Sequence, residues 1–145
     1  MPQQDATLLL DQDHNEVIRL FEQYKSAHSD NERRPLASRI CHELIVHMQI
    51  EEEIFYPAFR RAVKDEAVLK DSLHEHQEAR DMVARLQEKP TDAHLMLELE
   101  DAILHHVNDE REKMFPEARK SGMNLMQLGA QLAERKARLT AESPA

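Results

Sequence analysis

Residues 47–57 read HMQIEEEIFYP and residues 106–116 read HVNDEREKMFP. Each stretch begins with a histidine, places a glutamate four positions on, and ends ten positions on in an aromatic–proline pair. Four residues make about one helical turn, so the imidazole and the carboxylate stand on one face. Apolar residues repeat at the same period. Ile40, Leu44, Ile54 and Ala58 share the face of His47 and Glu51, while Leu95, Leu99, Ala102, Ile103 and Met114 share the face of His106 and Glu110. A helix in a globular domain turns such a face toward the core. Both stretches therefore predict a helix that aims an imidazole and a carboxylate inward.

Outward from these stretches, the apolar residues recur at i, i+3, i+4 and i+7, never in alternation. With only 2 Gly and no Trp in a Leu-, Ala-, Glu-, Lys- and Arg-rich background, the composition favours helices throughout. Breaks fall at 26–35 (SAHSDNERRP), whose Pro35 suits the first turn of a helix, near 63–67 after Pro57, and at 88–92 with Thr91 or Asp92 as N-cap. Gly122 reads as a C-cap, and Asn124 with Gln127 as a capping box for a last helix ending near Leu139. The expected fold is all-α: an up-down-up-down antiparallel four-helix bundle over residues 5–121, with a shorter fifth helix over 123–140 packed on it in the same domain. A chain of 145 residues is long enough to bury one core without staples.

Nine histidines are the compositional oddity. His14 joins Leu10, Val17, Ile18 and Phe21 on one stripe, and His76 joins Leu69, Leu73, Ala79, Val83 and Leu86 on another. With His47 and His106, each long helix then carries one inward imidazole. His74, His94 and His105 line up with charged residues and read as solvated; His28 and His42 fall between the two classes. His28/Glu32, His74/Glu78 and His94/Glu98 also have the i, i+4 spacing, but off the apolar stripes and without the proline. The level agrees. In an antiparallel hairpin, residues equidistant from the turn share a height, and the midpoints of His14/His47, His47/His76 and His76/His106 all fall in or beside breaks. Four imidazoles should meet in one layer, with Glu51 and Glu110 about one turn along.

Such a set is costly to bury without a counter-ion. Two metal ions satisfy it better than one. With each glutamate bridging, each ion receives two imidazole nitrogens and two carboxylate oxygens, keeps open positions, and favours a small anionic oxo or hydroxo bridge. Mixed imidazole and carboxylate donors suit iron, with manganese or zinc as alternatives. The candidate metal ligands are His14, His47, Glu51, His76, His106 and Glu110. Glu52 is a candidate outer carboxylate or a rim residue. Tyr24 and Tyr56 stand two or more turns from the layer and read as packing residues, Cys41 as a small core residue, and Met82, Met114, Met123 and Met126 as gap-fillers. Leu125, Leu128, Leu132 and Leu139 give the last helix an inward side, and Arg135, Lys136 and Arg138 suit its C-terminal end.

The segments DH (13–14), ICHELIVHMQIEEEIFYPA (40–58), EHQEAR (75–80), HHVNDEREKMFPEAR (105–119) and LGAQLAERKARL (128–139) together resemble the bacterial hemerythrin-like, or HHE cation-binding, domains. The resemblance implies a four-helix bundle around a non-haem di-iron centre, with the same six residues as iron ligands. Oxygen-carrying hemerythrins are similar but have His-x-x-x-His on the third helix and His-x-x-x-x-Asp on the fourth. Here Ser72 and Arg80 flank His76 at four residues' distance, and the fourth helix carries His-x-x-x-Glu. His105 and Glu110 have the +5 spacing, but His105 faces the polar side. Fewer histidines leave more open coordination, which points away from dedicated oxygen carriage.

The leading expectation is a di-iron protein that binds or reacts with O2, NO or peroxide, in sensing or in detoxification such as catalase-like peroxide breakdown. The alternatives are an iron storage or sensing module without turnover and an interaction bundle with a structural metal. A net charge of −9 disfavours nucleic acid as a partner. No apolar run is long enough to span a membrane, MPQQDATLLL lacks signal-peptide features, and a lone Cys41 fits a reducing cytoplasm.

Overall fold

The computed structural model describes residues 4–142. Side-chain caps start the helices in sequence order. Asp5 accepts a hydrogen bond from the Leu8 backbone N–H and opens α1 (Ala6–Ser26), and Ser29 accepts from Glu32 and opens α2 (Asp30–Ile50). A wide π-helical turn, π1 (Glu51–Phe55), carries α2 without a break into α3 (Tyr56–Val63). Lys64, in the left-handed region at φ 61°, ends that rod, and Asp65 caps α4 (Glu66–Glu88). Asp92 caps α5 (Ala93–Asp109), which passes through a second π turn, π2 (Glu110–Met114), into α6 (Phe115–Lys120). Gly122, at φ 81°, reverses the chain, and Asn124 caps α7 (Leu125–Glu142) by accepting from the Gln127 N–H. The described residues form four antiparallel rods and a fifth helix, with no strand among them. Among them no helix is long and apolar enough to cross a membrane.

One helix start differs from the sequence expectation. Pro35 lies inside α2 as its sixth residue, not in the first turn. Ser29 and Glu32 form a capping pair: Ser29 Oγ accepts from the Glu32 N–H and Glu32 Oε2 accepts from the His28 N–H. These bonds satisfy exposed donors ahead of the proline, so the helix begins earlier.

The π turns come from the prolines. Pro57 and Pro116 have no N–H, and each ring would press on the carbonyl four residues back. Widening the preceding turn relieves that contact; Tyr56 N–H bonds to Glu51 O, and Phe115 N–H to Glu110 O, five residues back. The extra residue rotates the inward face. Phe55, Tyr56 and Phe59 are buried, while Ile54 and Ala58, assigned to the core stripe on a straight-helix period, are only half-buried. On α4, Ser72 is buried and Leu73 exposed, because the stripe runs through 69, 72, 76, 79, 83 and 86 and leaves 73 at its rim. Met126 is also exposed and fills no gap.

The apolar core is divided in two. One cluster, around Val17, Phe21, Ile40, Leu44, Val83, Leu99 and Ile103, fills the end near the α1–α2 and α4–α5 loops. The other, around Leu10, Ile50, Phe55, Phe59, Leu69, Phe115 and Leu132, fills the end that carries the π turns and α7. A buried polar layer lies between them. Helix α7 packs across α1, α2 and π1. Its Gly129 is required there, because a Cβ would collide with the Gln4 carbonyl.

Candidate metal centre

His14 comes from α1, His47 from the last turn of α2, His76 from α4 and His106 from the last turn of α5. Glu51 and Glu110 open the two π turns, and both are fully buried. The structure brings all six to one layer. His14 and His47 have ring centroids 4.9 Å apart, and His76 and His106 4.7 Å apart, so the imidazoles pair at two poles. Glu51 Oε1 lies between the poles, 3.2 Å from His47 Nε2, 3.0 Å from His76 Nε2 and 3.7 Å from His106 Nε2. Glu110 Oε1 is 2.9 Å from His14 Nε2 and 3.2 Å from His106 Nε2. The ligand atoms of His14, His47, Glu51 and Glu110 gather within 4.8 Å of one another, as do those of Glu51, His76 and His106.

All four imidazoles are held the same way from behind. The Nδ1 atoms of His14, His47, His76 and His106 face Asp11 (3.0 Å), Asp13 (3.0 Å), Glu52 (2.6 Å) and Glu75 (2.7 Å). An ionised carboxylate only accepts, so each Nδ1 carries the proton and donates it, and the Nε2 lone pair of a neutral ring points inward. This is how proteins orient metal-binding imidazoles. Cations hold three of these carboxylates in turn: Arg111 on Asp11 (2.6 Å), Arg80 on Glu52 (2.8 Å) and Lys136 on Asp13 (2.5 Å). Glu52 thus proves to be an outer carboxylate of His76. Asp11, Asp13 and Glu75 escaped the sequence reading. DH at 13–14 and EH at 75–76 set two of them beside a histidine, yet Asp13 serves His47 and Glu75 serves His106, not the neighbour.

Tyr56 corrects the sequence reading more sharply. Expected two turns away as a packing residue, its hydroxyl donates to Glu110 Oε2 (3.0 Å) and Glu51 Oε1 (3.2 Å) and lies 3.1 Å from His76 Nε2. π1 makes the difference, turning residue 56 back over residue 51. Tyr24 behaves as expected, donating to the Pro90 carbonyl far from the layer. His28, His74, His94 and His105 are exposed and His42 is half-buried.

The layer's electrostatics ask for a cation. Burial alone lowers the pKa of His47, but Glu51 and Asp13 outweigh it and lift the ring to about 10. His76 and His106 are raised in the same way against their burial, by Glu51 with Glu52 and by Glu110 with Glu51. Burial pushes Glu51 up, yet the surrounding imidazoles hold it well below the usual carboxylate range. Burial and the charges of Glu110 and Glu51 keep the Tyr56 phenol protonated. Protons on imidazoles thus do part of a metal's work. The substitution is incomplete: His47 Nε2 meets Glu51 Oε1 at 3.2 Å without hydrogen-bond geometry, and Glu51 Oε2 is buried with no hydrogen-bond partner. His76 and His106 also oppose their Nε2 atoms at 3.2 Å, which needs a proton or a metal to be favourable. Orphaned donor atoms of metal-binding type, in a fully oriented set, fit a metal site.

A sequence model of the hemerythrin HHE cation-binding domain matches residues 5–118. The chain belongs to the hemerythrin HHE cation-binding domain family. No curated protein sequence matches it. Among solved structures it is similar to a hemerythrin HHE cation-binding domain-containing protein from Mycobacterium kansasii, with a TM-score of 0.81 at 23% identity, covering 95% of this chain and 88% of that one. At that identity the likeness speaks to the fold. As a member of the HHE family, the chain is a cation-binding domain whose buried His/Glu clusters are suited to binding metal.

Proposed function

We propose that the layer holds two metal ions, one at the His14–His47 pole and one at the His76–His106 pole, with Glu51 and Glu110 shared between them. Iron is the best match to four imidazoles and two carboxylates, with manganese or zinc as alternatives. The pair binds or reacts with O2, NO or peroxide. The observation that carries this reading is the common orientation: four Nδ1 atoms on carboxylates and four Nε2 atoms turned toward Glu51 and Glu110. Bound iron would supply redox change and open coordination positions.

The chain's own residues then do the rest. Phe115 stacks on His14, with centroids 5.9 Å apart and rings inclined by 16°, and keeps water from that pole. Tyr56 stacks on His76 and holds a phenolic proton at the other pole. Beside the layer lies a void with room for about one water-sized group, walled by Val17, Leu44, Met48, Ala79, Ile103 and Val107 together with the four imidazoles. That size supports a diatomic or peroxide ligand over a larger substrate.

The test is the near-ultraviolet absorption of iron-loaded protein before and after peroxide, with peroxide consumption followed alongside. Charge-transfer bands that change with peroxide, with its loss, are the expected result. Bands without peroxide loss would favour an iron storage or sensing module. Zinc retained and iron refused would leave a structural metal in an interaction bundle.

A further inference from the structure

The family match ends at residue 118, and α7 lies beyond it. Even so, α7 grips the bundle at the level of the metal layer. Leu132 is fully buried in the cluster that contains Leu10, Ile50 and Phe55, and Gly129 lets the helix backbone close onto Gln4. Two adjacent cations then reach outward from α7 to different rods. Arg135 Nε donates to Glu53 Oε1 at 2.8 Å, on the same π turn that begins with Glu51. Lys136 Nζ donates to Asp13 Oδ1, while the other oxygen of that carboxylate accepts from His47 Nδ1 at 3.0 Å. Asp13 is buried, with 8% of its surface exposed, so its charge depends on the two donors it has.

The comparison with the other outer carboxylates makes Lys136 distinctive. Arg111 and Arg80, which hold Asp11 and Glu52, belong to the four rods themselves. For Asp13 the cation comes from the appended helix. We propose that α7 is a working part of the metal centre: Lys136 acts as a positioning residue that orients His47 through Asp13, so that docking of α7 and metal occupancy at the His14–His47 pole favour each other. This rests on the two-metal reading above. The coupling is reciprocal by linkage: whatever factor α7 docking contributes to metal affinity, bound metal returns to α7 docking.

The experiment uses the full chain with Co(II) as an anaerobic spectroscopic probe, comparing wild type, Lys136→Met, Lys136→Arg and Leu132→Ala. Lys136→Met should weaken one of two binding steps by about ten-fold, the lower end for an outer-shell partner, and leave the other within about two-fold. Lys136→Arg should restore it. Hydrogen exchange read across residues 125–142 should slow on cobalt loading in wild type and slow much less in Lys136→Met. Leu132→Ala, which loosens the apolar docking of α7 without touching Asp13, should weaken the same step. Two tight steps indifferent to Lys136, or exchange in α7 that ignores the metal, would overturn the proposal alone. Equal weakening of both steps by Lys136→Met would do the same, as the mark of a general loss of fold. A wild type that takes up no cobalt would remove the two-metal reading and the proposal with it.

Discussion

The two π turns are one backbone device used twice, with different side chains. Each follows a His–Glu turn, each is imposed by a proline six residues after the glutamate, and each swings the next aromatic into the metal layer. Each aromatic also crosses to the other hairpin. Tyr56, from the α2 rod, stacks on His76 of α4, and Phe115, from the α5 rod, stacks on His14 of α1. The tyrosine brings a hydroxyl that donates to both glutamates; the phenylalanine brings none and packs at 6.0 Å against Phe55. Repetition of the backbone thus makes a site with two imidazole pairs, while the aromatic pair makes its poles unequal. One pole holds a proton, and the other is closed by carbon.

The glutamates give the largest way to break this comparison. Glu51 Oε1 lies within 3.7 Å of three Nε2 atoms, whereas Glu110 Oε1 lies close to two. Glu51→Ala should cost more than about a hundred-fold in metal affinity, beyond the range for outer-shell partners, and remove both ions. Glu110→Ala should leave the centre partly occupied, because Glu51 still faces an imidazole of each pole. Elemental analysis after iron loading separates the two.

Exchanging the aromatics comes next. Tyr56→Phe should destabilise the metal-free protein by about 1.5–3 kcal/mol, because two buried carboxylates lose a donor. Phe115→Tyr should cost about 1–2 kcal/mol, by placing a hydroxyl against an imidazole face and Phe55. The double exchange should not rescue either. Urea unfolding with and without metal reads all three, and a restored double variant would show the two turns to be interchangeable.

Protons provide the finest comparison. Loading with a divalent ion at pH 7 should release protons from the imidazoles whose pKa is raised, His47 first among them. Their charged forms support the metal-free fold fully below the unfolded value near 6.5. That support fades as the pH climbs through the folded values, about 10 for His47. The gain in Tm on metal binding should therefore grow between about pH 6.5 and 10. Calorimetry in buffers of different ionisation enthalpy counts the protons, and a scan of Tm against pH gives the second result.

Much of this was legible in the sequence because it obeys a straight α-helical period. The breaks follow from prolines, a glycine and capping residues, and the inward stripes of His14, His47, His76 and His106 from i, i+4 spacing. Equal distances from the turns then bring them to one height. What escaped were the consequences of one extra residue per π turn. On a straight helix Tyr56 points away from Glu51, although the proline that bends the rule is plain in YP and FP. Two outer carboxylates escaped for another reason: Asp13 serves His47 and Glu75 serves His106, each across a helix interface that no local spacing encodes. Glu52, by contrast, was legible as a candidate without its partner His76. Lys136 is further still, 123 residues from Asp13.

Anomalous diffraction at the iron edge, from iron-loaded crystals, locates the metal directly. Two peaks per chain are expected, one bounded by His14 and His47, the other by His76 and His106, with Glu51 and Glu110 touching both. A single peak, or iron bound only at the Glu75–His105–Asp109 group outside the layer, would contradict a two-metal centre built from these six residues.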